Sequence, residues 1–186
     1  MLLKQQILQQ REAIIESWRH AVFGTYPSES TTFLAGRKNR FANPVGQTIH
    51  ENVQQLFDQL IEGIEPPKAA VALDAIVRIR AVQEFTAAEA VQFIFEIKNI
   101  VRKHVSLSDG EHVMDQTTVS DLRDFDKRVD SLALMGFELF MRCREKLYEI
   151  RTNETRRRHE KLVERLVAKD QAEHDENTSA SAYDDK

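Results

Sequence analysis

The sequence is short of the residues that cross-link or interrupt small folds. It contains one cysteine, Cys143, which rules out an internal disulfide and a cysteine-based metal cluster. Six glycines and four prolines among 186 residues favour helices over a turn-rich β architecture. A single cysteine also suits a reducing compartment, and we therefore expect a cytoplasmic protein.

Long apolar runs and targeting signals are also missing. No stretch reaches the length needed to span a bilayer, so we expect no membrane insertion. The amino terminus lacks the basic-then-apolar order of a signal peptide. No segment alternates apolar and polar residues over a useful length, so no β-hairpin is predicted.

The net charge of −4 is distributed unevenly. Residues 170–186 carry six acidic side chains against Lys186, a charge of −5, which leaves +1 for residues 1–169. A nearly neutral body argues against a nucleic-acid-binding surface. The basic run Arg156-Arg157-Arg158 is interpreted as a solvated helix face pairing with Glu154 and Glu160, with membrane-surface or nucleic-acid contact as the alternative.

Helical periodicity and end signals predict about six helices. The predicted segments are 3–24, a short helix over 28–35, 44–62, 67–82, 87–105, and a very long last helix with a cap resembling Thr118-x-x-Asp121. Asn43-Pro44 is a helix start and Gly63 a helix stop. Thr86 and Glu89 have the spacing of a capping box, with Phe85 as its staple residue. We expect an all-α, globin-like bundle of about six helices with a very long C-terminal helix.

The last helix carries the longest apolar stripe. Its members recur every three or four residues: Val119, Leu122, Phe125, Val129, Leu132, Gly136, Leu139, Cys143, Leu147 and Ile150. Beyond residue 150 the stripe vanishes. We therefore predict a globin-like domain over 1–150, a polar helical extension over 151–170 and a disordered acidic tail over 171–186.

Residues 132–141 are apolar on nearly every side. Such a segment fits a central core helix, a dimer seam, or both at once. The candidate dimer and relay residues are Leu132, Gly136, Leu139, Cys143, Leu147 and Ile150. Ala133 and Gly136 would allow close approach of a second helix, so we expect a homodimer.

Cofactor and catalytic signatures are lacking. The helix over 67–82 contains no His, Cys, Met or Tyr to ligate haem, and His50 is at best a distal candidate. The six histidines show no metal-ligand spacing, and no nucleophile or phosphate-loop motif occurs. We expect no cofactor and no enzyme activity.

Two arginines interrupt the helix over 67–82. Asp74 precedes Arg78 by four residues, the spacing of a helical ion pair, and Arg80 would snorkel to the surface. The alternative is an anion pocket lined by Arg40, Arg78 and Arg80, which would make the protein a binder of small anions or metabolites, with a conceivable link to sulfur or redox metabolism.

Several motifs resemble one family, the N-terminal domain of RsbRD-type RsbT co-antagonists, over about residues 10–160. They are Phe23-Gly24-Thr25-Tyr26-Pro27, Phe33-Leu34, Arg40-Phe41-Ala42-Asn43-Pro44-Val45-Gly46, Arg78-x-Arg80-Ala81-Val82-Gln83 and Arg142-Cys143-Arg144-Glu145-Lys146-Leu147-Tyr148.

The resemblance implies a haem-less, globin-like, dimeric sensor domain of bacterial stress signalling. Proteins of that family join this domain through a helical linker to a STAS domain, for which we see no room after residue 170. The leading hypothesis is therefore a non-enzymatic sensory or regulatory domain that relays its state through the last helix to an unidentified protein partner, and a small-molecule ligand stays open.

Overall fold

The all-α architecture is confirmed. A computed structural model describes residues 3–26, 43–83, 85–109 and 116–181, and no strand occurs among them. Six helices follow one another in the described ranges: α1 (Leu3–Gln9), α2 (Arg11–Gly24), α3 (Pro44–Glu62), α4 (Pro66–Val82), α5 (Ala87–Asp109) and α6 (Gln116–Ser181). The predicted short helix over 28–35 lies outside the described residues.

The helix ends obey local chemistry. Asn43 accepts a hydrogen bond at Oδ1 from the Gly46 amide over 2.8 Å, which caps α3. At the other end Gly63 has φ of 121°, a conformation that residues with a Cβ rarely adopt. Before α5, the Thr86 amide donates to Glu89 Oε2 over 2.9 Å and the Glu89 amide donates to Thr86 Oγ1 over 3.3 Å. The predicted capping box is therefore confirmed.

The predicted helix over 3–24 is two helices. They part at Gln10, whose φ of −107° and ψ of 17° lie outside the helical region. The Gln10 side chain donates through Nε2 to the carbonyl oxygen of His104 over 3.1 Å, and its Oε1 lies 2.8 Å from His104 Nδ1. These contacts join the α1–α2 junction to α5. The break is a tertiary feature, since no proline or glycine marks it.

One apolar core joins all six helices. Trp18 of α2, Phe57 of α3, Leu73 of α4, Phe93 of α5 and Phe125 of α6 are each at most 1% exposed. The indole Nε1 of Trp18 donates to the Phe93 carbonyl oxygen over 2.7 Å, so its one polar group is satisfied within the core.

The chain divides into two compact units, Met1–Arg144 and Glu145–Lys186. The first unit contains the core. In the second unit, every described side chain beyond Leu147 is exposed. The backbone of α6 is helical through Ser181, past the predicted helix end at 170, and no proline or glycine intervenes. The predicted limits 1–150, 151–170 and 171–186 stay predictions.

Candidate functional site

The part of α6 in the first unit has two apolar faces. One face holds Leu122, Phe125, Val129 and Leu132, all between 0% and 7% exposed. The opposite face carries Leu134, Phe137 and Met141, which are 72%, 46% and 46% exposed. This segment is therefore both a core helix and an apolar surface.

Gly136 allows α6 to approach α5 closely. A Cβ at this position would lie 2.9 Å from Ile94 Cδ1, 3.6 Å from Leu73 Cδ2 and 3.7 Å from Val91 Cγ1. The small residue thus serves the close packing of α6 on α4 and α5 inside one protomer. Ala133, 3% exposed, also belongs to this core.

The predicted dimer seam is wrong for two of its members. Leu132 is 0% exposed and Gly136 is buried, so neither can reach a second copy while the domain is folded. Both faces are equally apolar in sequence, and the more regular stripe turned out to be the core face. Leu139 packs partly buried against the core, and Cys143 is half-buried with Sγ 3.8 Å from Asp74 Oδ1.

In the second unit, Leu147 is half-buried and Ile150 is 48% exposed. Their role in dimerisation or relay stays a prediction.

Polar contacts hold α6 against the other helices of the first unit. Lys98 Nζ of α5 donates to Asp130 Oδ1 over 2.6 Å, and Arg102 pairs with Asp126 one turn away. Arg128 reaches the Ile61 carbonyl oxygen of α3 over 3.4 Å, and Arg144 Nη1 donates to the Ala81 carbonyl oxygen of α4 over 3.2 Å. Movement of any of these helices would therefore act on α6 directly.

Arg80 is the largest polar side chain in the core. It is 0% exposed, so the predicted snorkelling geometry is wrong. Its Nη1 donates to the Glu89 carbonyl oxygen over 2.8 Å, and its Nη2 donates to Thr25 Oγ1 over 2.8 Å and to the Val22 carbonyl oxygen over 3.3 Å. Val22 and Thr25 lie at the carboxyl end of α2, where the helix dipole favours a cation.

Three aromatic rings surround the Arg80 guanidinium. Its Cζ lies 4.7, 5.0 and 5.4 Å from the ring centroids of Phe93, Phe85 and Tyr26. Burial lowers the pKa of Arg80, an effect that Tyr26 opposes, and burial raises the pKa of Tyr26, an effect that Arg80 opposes. Arg80 thus joins α2, α4 and α5 at one buried point.

The three arginines of the predicted anion pocket have different surroundings. Arg78 is exposed and pairs with Asp74 over 2.5 Å, as its four-residue spacing predicted. Arg80 directs both Nη atoms to protein oxygens, and only its Nε has no hydrogen-bond partner among the described residues. Arg40 lies outside the described residues, so the three-arginine grouping stays a prediction.

His50 and His104 make ordinary polar contacts. Nδ1 of His50 lies 2.8 Å from Arg19 Nη1. Because a guanidinium only donates, Nδ1 is the acceptor of that bond. Nε2 of His104 lies 3.3 Å from Ser17 Oγ. His112 lies outside the described residues. No cluster of three metal-ligating side chains occurs in the described ranges.

The second unit is a polar helix in its described part. Arg156 pairs with Glu160 over 3.7 Å and Arg158 with Glu154 over 4.0 Å, so the predicted solvated face is confirmed. None of the described helices is both long and apolar enough to cross a bilayer.

Comparison with known proteins identifies one family. The profile described as the RsbT co-antagonist protein rsbRD N-terminal domain matches residues 12–155. No curated protein and no solved structure matches the chain. The match covers α2 to α5 and α6 as far as residue 155. This chain belongs to the RsbT co-antagonist rsbRD N-terminal domain family, which is a family of stress-signalling domains and not of enzymes.

Proposed function

We propose that this chain is a non-enzymatic cytoplasmic sensory domain that forms a homodimer through the exposed face of α6 and relays its state to a protein partner. The family supports the signalling role. The dimer and the relay rest on the exposed apolar face of Leu134, Phe137 and Met141, hereafter the outer α6 face.

The outer α6 face has the spacing of a helix–helix contact. Its three residues follow at steps of three and four, so they form one stripe on the side opposite Leu132. Full burial of each would contribute about 1.5–3 kcal/mol before association costs. Contiguous apolar surface of this kind is typical of protein interfaces.

The relay uses the two-sided nature of α6. Its inner side contacts α4 and α5 through Gly136 and is tied to α5 by Lys98 and Asp130. A change in core packing would shift α6 and thereby alter the geometry of the outer α6 face. Helix shifts at subunit interfaces are an established form of switching.

Sedimentation equilibrium of the full chain tests the dimer. We expect the wild-type protein to dimerise at micromolar concentration, and Leu134→Asp and Met141→Asp each to raise the dissociation constant by about tenfold or more, because a carboxylate in an apolar seam loses solvation. The matched control is Val71→Asp, which alters an equally exposed valine (69%) on α4.

Two results would contradict the proposal. One is a wild-type protein that is monomeric at 100 μM, on the order of the weakest affinity that a regulated dimer would need. The other is equal weakening by Val71→Asp, which would show that the effect is not specific to the outer α6 face. Circular dichroism of each variant would confirm that the helices remain folded.

A further inference from the structure

The first helix, α1, is attached to the rest of the first unit by few side chains. It has seven residues, and isolated helices shorter than about 12–15 residues are only marginally stable in water. Its helical state therefore depends on its contacts. Leu3, Gln6 and Ile7 are buried, and the other four residues of α1 are exposed. By comparison, α2 buries five apolar side chains, among them Trp18.

The backbone is interrupted between α1 and α2. At Gln10 it leaves the helical region, and the Gln10 amide donates to the Ile7 carbonyl oxygen over 3.2 Å. This bond spans three residues instead of the four of an α-helix. Among the described residues, it is the one backbone hydrogen bond outside the helices that reaches a residue of α1. Rotation at Gln10 therefore leaves the hydrogen bonds of α2 intact.

The packing beneath α1 is incomplete. A cavity of about 300 Å³ lies there, lined by Leu3, Lys4 and Ile7 of α1, Ile61 of α3, and Asp121, Asp124, Phe125 and Arg128 of α6. Apolar side chains beside a void lose the dispersion contacts that a filled core gives them. The attachment of α1 is therefore weaker than the packing around Trp18, which is 0% exposed.

The side chain of Gln10 holds the junction of α1 and α2 to α5. Its contacts with the carbonyl oxygen and Nδ1 of His104 lie at the carboxyl end of α1. Leu3 lies at the opposite end and has no such polar contact to fix it, because its side chain is apolar. The junction can therefore stay in place while the rest of α1 moves.

We propose that α1 is a reversible strap, which detaches at Gln10 while α2 to α5 and the first-unit part of α6 stay folded. In its attached state it covers Ile61 and Phe125, where α3 meets the first turns of α6. Opening of the strap exposes this contact to water and leaves the 3.4 Å bond from Arg128 to the Ile61 carbonyl oxygen to hold it. The strap thus controls how firmly residues 121–128 are held, and it does so whether or not the outer α6 face forms a dimer.

Thiol labelling of the full chain measures the opening. In a Cys143→Ser background, Ile7→Cys places a thiol under the strap, Ile14→Cys places one in the core side of α2, and Leu8→Cys places one on the exposed side of α1. We expect the thiol at position 7 to react at least about 100-fold faster than the thiol at position 14, because local opening requires less free energy than global unfolding. It should react at least about tenfold more slowly than the thiol at position 8.

Two comparisons of these rates would overturn the proposal. Equal rates at positions 7 and 14 would show that α1 opens only when the whole domain unfolds. Equal rates at positions 7 and 8 would show that α1 is not attached at all. Urea below the unfolding transition gives a second readout: it should accelerate labelling at position 14 much more than at position 7, because global unfolding exposes more surface. Equal acceleration would also overturn the proposal.

A glutamine pair tests the junction. Gln10→Ala should raise the labelling rate at position 7 by about tenfold, because it removes the contacts with His104. Gln9→Ala makes the same substitution at an exposed neighbouring position and should leave the rate unchanged. Equal effects of the two substitutions would contradict a hinge held by Gln10.

Hydrogen exchange of the full chain tests the effect on α6. Leu3→Asp with Ile7→Asp should keep the strap open, because carboxylates are costly in an apolar contact. Mass spectrometry should then show faster exchange of amides 121–128 and unchanged exchange of amides 69–77 in α4, which does not line the cavity. Leu8→Asp, on the exposed side, is the control. Unchanged exchange at 121–128, or an equal increase at 69–77, would overturn the proposal.

Discussion

A Cβ on Gly136 would lie 2.9 Å from Cδ1 of Ile94. The clash is with the end of a flexible side chain, and alanine stabilises a helix by about 1 kcal/mol relative to glycine. We therefore expect Gly136→Ala to change the free energy of unfolding by less than about 1 kcal/mol, and Gly136→Val to lower it by about 1–3 kcal/mol through overpacking.

Urea unfolding monitored through Trp18 measures both variants. If Gly136 lay at a subunit seam instead, Gly136→Val would weaken dimerisation and leave the stability of a monomer unchanged. That outcome would contradict the internal packing.

Removal of the Arg80 side chain should be among the most damaging substitutions in this fold. Arg80→Ala leaves a cavity and strips a donor from Thr25 and two carbonyl oxygens, so we expect a loss of about 3–5 kcal/mol in the free energy of unfolding. Arg78→Ala removes only an exposed ion pair with Asp74 and should cost less than about 1 kcal/mol. If chemical unfolding gave the same loss of free energy for Arg80→Ala and Arg78→Ala, the buried position of Arg80 would be contradicted.

Tyr26 should make the protein sensitive to alkali. Its side chain is 7% exposed, and burial raises its pKa above the ordinary 10.0. The unfolded chain therefore releases the Tyr26 proton more readily than the folded one. The contribution of Tyr26 to the free energy of unfolding is complete below pH 10 and is lost as the pH rises above 10. Each pH unit above 10 should lower the free energy of unfolding by up to about 1.4 kcal/mol.

Chemical unfolding between pH 9 and pH 11 tests this prediction, with Tyr26→Phe expected to show a shallower decline than the wild type. Tyr148→Phe is the control, because Tyr148 is 73% exposed. A decline of the same slope in both variants would place the alkaline sensitivity elsewhere.

The thiol of Cys143 should react slowly in the native protein. Burial raises its pKa above 9.0, and Asp74 raises it further, whereas Arg78 lowers it. Asp74→Asn should therefore increase the rate of alkylation at pH 8, and Arg78→Gln should decrease it, each by up to about tenfold, since one pKa unit changes the thiolate fraction tenfold. If Asp74→Asn slowed alkylation and Arg78→Gln accelerated it, access of the reagent to Cys143, and not charge, would control the rate. Mass spectrometry of iodoacetamide-treated protein gives both rates.

Local signals predicted the helix ends well. The ends of α3 lie at Asn43-Pro44 and at Gly63, and α5 starts at the capping box of Thr86 and Glu89. Both were predictable because capping depends only on groups within a few residues. Predicted boundaries failed where distant groups act. The break at Gln10 depends on its contacts with His104, 94 residues away.

Sequence alone determined the helical class, the long last helix and the scarcity of ligating residues, since periodicity and composition are properties of the chain itself. Tertiary structure decided which apolar face of α6 is core and which is surface. Leu132 and Leu134 are both leucines in an all-apolar segment, and only contact with α4 and α5 distinguishes them. It also decided the surroundings of Arg78 and Arg80. Two positions along a helix turn the side chain by about 200°, so Arg78 lies in solvent and Arg80 contacts Thr25, Phe85 and Phe93.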